Sequence, residues 1–110
     1  RSEGGERSQA VRHRVNAARQ RQIERFVEEG IYCNAHMGPR HLEAHCGLCK
    51  AGEALLATAV ERLGLSARAY DRIRKVARTI ADVESAPHIA PQHLAEAIQY
   101  RSMDRTTWLC

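Results

Sequence analysis

Leu65-Ser66-Ala67-Arg68-Ala69-Tyr70-Asp71-Arg72-Ile73-Arg74-Lys75-Val76-Ala77-Arg78-Thr79-Ile80-Ala81-Asp82-Val83 is the stretch whose reading decides the fold class. Ala69, Ile73, Val76, Ile80 and Val83 recur at helical spacing and form one apolar seam. Ser66 stands where a hydroxyl can accept from a free backbone N–H of the first turn. Leu65 before that cap and Tyr70 four residues after it have the spacing of a hydrophobic staple. The pattern predicts a helix over residues 66–84.

Upstream, Gly64 closes a second helical pattern over residues 50–63, whose buried face is read as Leu56, Ala59, Val60 and Leu63. Downstream, Ser85-Ala86-Pro87 breaks the chain, and Pro91 fits the first turn of a further helix reaching about residue 101, with Leu94, Ala97 and Ile98 inward. The first helix is read over residues 8–29, with Val11, Val15, Ala18, Gln22 and Phe26 as a narrow stripe and Gly30 as its C-cap. Between these lies an irregular segment near residues 31–48, where Gly38-Pro39 and Gly47 are break signals. The expectation is an all-α, four-helix domain over residues 8–105. The polar, Gly-containing residues 1–7 read as a disordered linker and residues 106–110 as a tail.

Composition agrees. The 110 residues suit one domain, and 44% apolar against 5% aromatic residues calls for a core of Leu, Ile, Val and Ala, a palette for packed helices. There is no apolar run long enough to span a bilayer and no signal-peptide pattern. A first residue of Arg reads as the start of a fragment. The formal charge of +4 permits a polyanionic partner without requiring one. Without a secretory context, the cysteines at 33, 46, 49 and 110 read as reduced and the chain as cytoplasmic.

The chain lacks a G-x-x-x-x-G-K-[ST] phosphate loop, a G-x-G-x-x-G fingerprint and a G-x-S-x-G elbow. It is therefore expected not to be an enzyme by itself. Arg68 falls in the first turn of the 66–84 helix, where the dipole disfavours a cation, so helix stability does not account for it. A phosphate there would meet both the helix terminus and a guanidinium fork; otherwise Arg68 is a solvated surface charge. Arg72 lies one turn on, either lining the same cleft or solvated. Arg78 with Asp82 and Asp71 with Lys75 are four apart and can pair, at a few tenths of a kcal/mol each.

Cys33-x-x-His36 followed by Cys46-x-x-Cys49 has the paired-ligand form of a tetrahedral zinc site, though only nine residues separate the pairs. The plain alternative is small apolar cysteines packed under a loop. Arg12, Arg14, Arg19, Arg21 and Arg25 crowd the first helix and could meet DNA phosphates, but Glu24, Glu28 and Glu29 interrupt the field. A solvated helix or a subunit contact is the other reading.

The blocks Leu65-Ser66-Ala67-Arg68-Ala69-Tyr70-Asp71-Arg72, Val76-Ala77-Arg78-Thr79-Ile80-Ala81-Asp82 and His93-Leu94-Ala95-Glu96-Ala97-Ile98-Gln99-Tyr100-Arg101 together resemble the C-terminal domain of magnesium-chelatase-like, ComM-type AAA+ ATPases. The resemblance is strongest over residues 64–105 and weaker upstream, through Gln20-Arg21-Gln22 and Asn34-Ala35. It implies a lid-type bundle, the upstream AAA+ core of the same chain as partner, and a homo-oligomeric, hexameric ring. It implies ATP and Mg²⁺ as cofactors of the parent, none held tightly by this fragment. Arg68 matches the sensor-2 arginine of that family, with Arg72 beside it. The family is tied to natural transformation and to motor action on branched DNA, with no membrane role. The rival expectation is a helical adaptor without a nucleotide role, stabilised by zinc at Cys33, His36, Cys46 and Cys49 or binding DNA.

Overall fold

The computed structural model describes the backbone of residues 2–100 and the side chains of residues 8–100. Among these residues the chain is all-α. Its elements are α1 (Ser2–Arg25), a 3-10 turn (Asn34–His36), α2 (Pro39–His45), α3 (Lys50–Leu63), α4 (Ala67–Val83) and α5 (Pro91–Gln99). A single parallel bridge pairs Leu48 with Ile89 and ties the loops before α3 and α5 together.

The axis of the domain is α4. Its first turn is exposed, but every residue from Val76 to Asp82 is buried. A helix enclosed on all sides must carry neighbours on all sides, and α1, α2, α5 and the 3-10 turn all pack on α4. α3 joins the body through α5. Phe26, Leu42, Leu56, Ile73, Leu94 and Ala97 belong to one continuous core. Burying each of the larger side chains contributes roughly 1.5–3 kcal/mol.

The helix starts follow local chemistry. Ser66 Oγ accepts from Ala69 N at 3.1 Å, and both staple residues, Leu65 and Tyr70, pack on the core. Cys49 Sγ accepts from Gly52 N at 3.4 Å at the head of α3. Gly64 closes α3 with φ 63°, a left-handed conformation that costs a residue with a Cβ more. α2 and α5 share a third device, a proline in the first turn with a histidine two residues further on. His41 Nδ1 accepts from Gly38 N at 2.9 Å, and His93 Nδ1 accepts from Ala90 N at 2.8 Å.

Several expectations need correction. The segment near residues 31–48 is not wholly irregular, because Gly38-Pro39 starts α2 rather than only breaking the chain. α1 begins at Ser2, inside the stretch read as linker, and no proline interrupts it there. It ends at Arg25 rather than near residue 29, and Gly30 at φ 76° then reverses the chain. Ala18, Gln22 and Phe26 are buried as expected, but Val11 and Val15 on the same stripe are 43% and 40% exposed. Residues 8–16 are all exposed, so the stripe outruns the body it packs on. Leu63, at the far end of α3, is likewise 44% exposed. The last residue expected in the final helix, 101, and the 106–110 tail lie outside the described residues.

Candidate functional site

A buried polar cluster joins α1, the 3-10 turn and α4. Asp82 is fully buried, yet its carboxylate accepts from Arg25 at 2.6 and 3.0 Å and from Asn34 Nδ2 at 3.0 Å. The Arg78 guanidinium stands 3.2 Å from the same carboxylate. Asn34 Nδ2 also donates to Thr79 Oγ1 at 2.9 Å, its Oδ1 accepts from Arg25 at 3.1 Å, and its backbone N–H donates to Gln22 Oε1 at 2.8 Å. A buried carboxylate is tolerable only when its lone pairs are filled in this way.

The expected Arg78–Asp82 pair therefore forms, but in the interior rather than on a solvated face. Burial lowers the Arg78 pKa below its usual value, and Asp82 opposes that effect. The expected Asp71–Lys75 pair is not what either residue shows. Asp71 lies 3.9 Å from Arg74, and Lys75 donates to the Ala35 carbonyl at 3.2 Å.

Arginine side chains also hold backbone. Arg21 donates to the Asp82 carbonyl at 3.0 Å and to Ser85 Oγ at 2.9 Å. Arg74 donates to the carbonyls of Leu42 and Cys46 at 3.1 and 3.2 Å. Arg78 donates to those of Ala86 and Pro87 at 2.8 and 3.2 Å. Arg21 and Arg25, read from the sequence as candidates for DNA phosphates, are thus spent on the fold, while Arg12 and Arg14 remain exposed.

Arg68 is placed differently. It sits exposed in the first turn of α4, two residues after the Ser66 cap, with no hydrogen bond or ion pair among the described residues. Arg72 is half-buried one turn further along. Their neighbours on α4, Arg74, Lys75 and Arg78, are all committed to carbonyls.

The four zinc candidates are not brought together. Cys33 Sγ faces His36 Nδ1 at 3.6 Å, Cys46 is buried with its Sγ 3.8 Å from Met37 Sδ, and Cys49 caps α3. Among the described residues no group of three or more His, Cys, Asp or Glu side chains could hold a metal ion. The helices fix the two halves of the motif to different tasks, which the spacing alone did not show. The reading of every cysteine as reduced is corrected at Cys33, which is disulfide-bonded; Cys46 and Cys49 are free. That reading rested on cellular context, which says nothing of which sulfurs meet.

The cluster around Asp82 was missed as a unit because its members come from three elements. One signal was available: Arg78, Thr79 and Asp82 are polar on a helix whose apolar residues already ring it.

A family profile described as magnesium chelatase, subunit ChlI C-terminal, matches residues 5–101. An uncharacterized protein YifB of Salmonella typhimurium is 44% identical over 92% of this chain. Competence protein ComM of Haemophilus influenzae is 43% identical, and an uncharacterized protein YifB of Escherichia coli 42%, over the same share. The chain spans 19% of the length of these relatives. No solved structure matches it. No helix among the described residues is long and apolar enough to cross a membrane.

Proposed function

Since the chain belongs to the family of magnesium chelatase subunit ChlI C-terminal domains, we propose that it is the helical lid of a ComM-type AAA+ ATPase in which Arg68 meets the terminal phosphates of ATP. The nucleotide sits between this lid and an AAA+ core elsewhere in the parent chain. The parent is a cytoplasmic ring, a hexamer that uses ATP and Mg²⁺ and moves along DNA. The likeness to competence protein ComM of Haemophilus influenzae supports the link to natural transformation.

The observation that carries the reading is the idleness of Arg68. Arg74, Lys75 and Arg78 on the same helix hold the fold together, whereas Arg68 stands exposed at its N-terminus and bonds to nothing described. That terminus presents free backbone N–H groups and a positive dipole end, so a phosphate placed there meets three favourable donors of charge at once. In the transition state for phosphoryl transfer a guanidinium stabilises charge spreading over the equatorial oxygens. Hydrolysis would then be felt as rotation of the lid. Arg72, on nearly the same face, lines the cleft behind it.

The test restores the AAA+ core and compares ATP hydrolysis, with and without branched DNA, in the parent and its Arg68→Ala variant. The expected result is a loss of turnover of at least about tenfold, worth ~1.4 kcal/mol of barrier, with unchanged thermal stability of the lid. Unchanged turnover would return Arg68 to the solvated surface and leave the family without this role for its lid.

A further inference from the structure

We propose that Cys33 and Cys110 form a reversible disulfide that straps the stretch following α5 across α4, so that this domain carries a site of oxidative modification by small disulfides. The bond does not involve Arg68 and stands whether or not the nucleotide reading holds.

The pairing follows from the sulfurs. The sequence has four cysteines, at 33, 46, 49 and 110. Cys33 is disulfide-bonded, whereas Cys46 and Cys49 are free. Each free sulfur is held elsewhere: Cys46 Sγ lies 3.8 Å from Met37 Sδ, and Cys49 Sγ accepts from Gly52 N at 3.4 Å. Cys33 is only 8% exposed, which leaves a second copy little approach to its sulfur. Within the sequence Cys110 is the one partner left.

The reach is sufficient. Cys33 is the N-cap of the 3-10 turn, and Tyr100 is the C-cap of α5. Turn and helix both pack on α4, and Lys75 of α4 donates to the Ala35 carbonyl of the turn at 3.2 Å. The two anchors of the strap therefore share one support. The ten residues 101–110 extend to at most about 33–36 Å. The body measures 46 × 34 × 25 Å, so this length spans its short axis with residues to spare.

The chemistry is thiol–disulfide exchange. Burial keeps Cys33 from meeting a bulky disulfide first, so the Cys110 thiolate attacks the oxidant, expels one thiolate and holds the other half as a mixed disulfide. Cys33 Sγ lies 3.6 Å from Nδ1 of the exposed His36, an imidazole nitrogen able to take its proton. The Cys33 thiolate then attacks the Cys110 sulfur and expels the second thiolate. The two cysteines lose two electrons and two protons; the oxidant is reduced to two thiols, which take up those protons. In a reducing compartment the reverse exchange opens the strap.

The experiment incubates the protein with oxidised glutathione, traps remaining thiols with N-ethylmaleimide in denaturant, and maps tryptic peptides without reduction by mass spectrometry. Residues 26–40 joined to residues 106–110 are expected, with Cys46 and Cys49 both alkylated. Cys33 found alkylated, carrying glutathione, or joined to any cysteine other than Cys110, including one of a second copy, would overturn the proposal. Thermal unfolding gives the second readout. A bond closing so long a loop restricts the unfolded chain, so dithiothreitol should lower the melting temperature of the oxidised protein by at least about 5 °C. Cys110→Ser should melt with the reduced protein whether or not dithiothreitol is present. A melting temperature of the oxidised protein that dithiothreitol does not move would equally sink the strap.

Discussion

Asp82 shows how a single residue sets a fold's tolerance. Its carboxylate is fully buried and bound by Arg25, Arg78 and Asn34. Replacing it leaves the buried Arg78 and the part-buried Arg25 without their counter-charge. Asp82→Asn should therefore lower stability by about 3–5 kcal/mol, the cost of breaking a buried pair from one side. Urea unfolding followed by circular dichroism measures this, and a loss below ~1 kcal/mol would show the cluster to be solvated. Cys46 makes a second case. Burial pushes its thiol up from 9.0 to about 11. The unfolded chain releases this proton first, so between those values the folded state holds more protons and stability falls as pH rises. Below pH 9 the full contribution is present, and by pH 11 up to about 3 kcal/mol is lost. The slope should vanish in Cys46→Ala. At neutral pH iodoacetamide should label exposed Cys49 and spare Cys46 until the protein unfolds.

At the scale of the element, helix ends were more legible than helix surroundings. The limits of α3 could be read because Gly64 is a left-handed stop, and the start of α4 because Ser66 is a cap. α2 escaped for a physical reason. Gly-Pro both ends one element and begins another, and seven residues are too few for a periodic signal. Its cap is His41, a residue that sequence patterns do not associate with capping, and α5 repeats the arrangement with His93. The cluster around Asp82 was legible only in its Arg78–Asp82 pair, because Arg25 lies 57 residues away, beyond any local pattern. Arg68 could be placed in the first turn of α4 because Ser66 caps that turn; its role is the proposal made above. The histidine caps lead to a prediction. His93 accepts from Ala90 N through Nδ1 and meets Glu84 through Nε2 at 2.9 Å. His93→Leu keeps the volume but removes both bonds, and should cost about 1–2 kcal/mol. His93→Gln, which can still accept from the N-cap N–H, should recover part of it. Thermal unfolding of the two variants side by side decides the matter, and equal losses would mean that packing rather than capping holds α5.

For the whole molecule, net charge is a poor guide to partners here. Much of the basic count is turned inward, since Arg21, Arg25, Arg74, Lys75 and Arg78 hold carbonyls or Asp82. Cys33, His36, Cys46 and Cys49 are engaged apart from one another, so an excess of EDTA should leave the melting temperature unchanged; a fall of several degrees would restore the zinc reading. The body also ends before α1 does. The stripe Val11, Val15, Ala18, Gln22, Phe26 is continuous in sequence, but burial begins only at its third member. Lys in place of both Val11 and Val15 should therefore change stability by no more than about 0.5 kcal/mol per site. Phe26→Ala on the same stripe removes a ring that is 1% exposed, and should cost about 3–5 kcal/mol. In a domain of this size 1 kcal/mol moves the midpoint by about 4–8 °C, so a melting curve separates the two cases. Large losses at Val11 and Val15 would mean that this length of α1 is covered in solution. Sedimentation at two protein concentrations would then tell whether a second copy covers it.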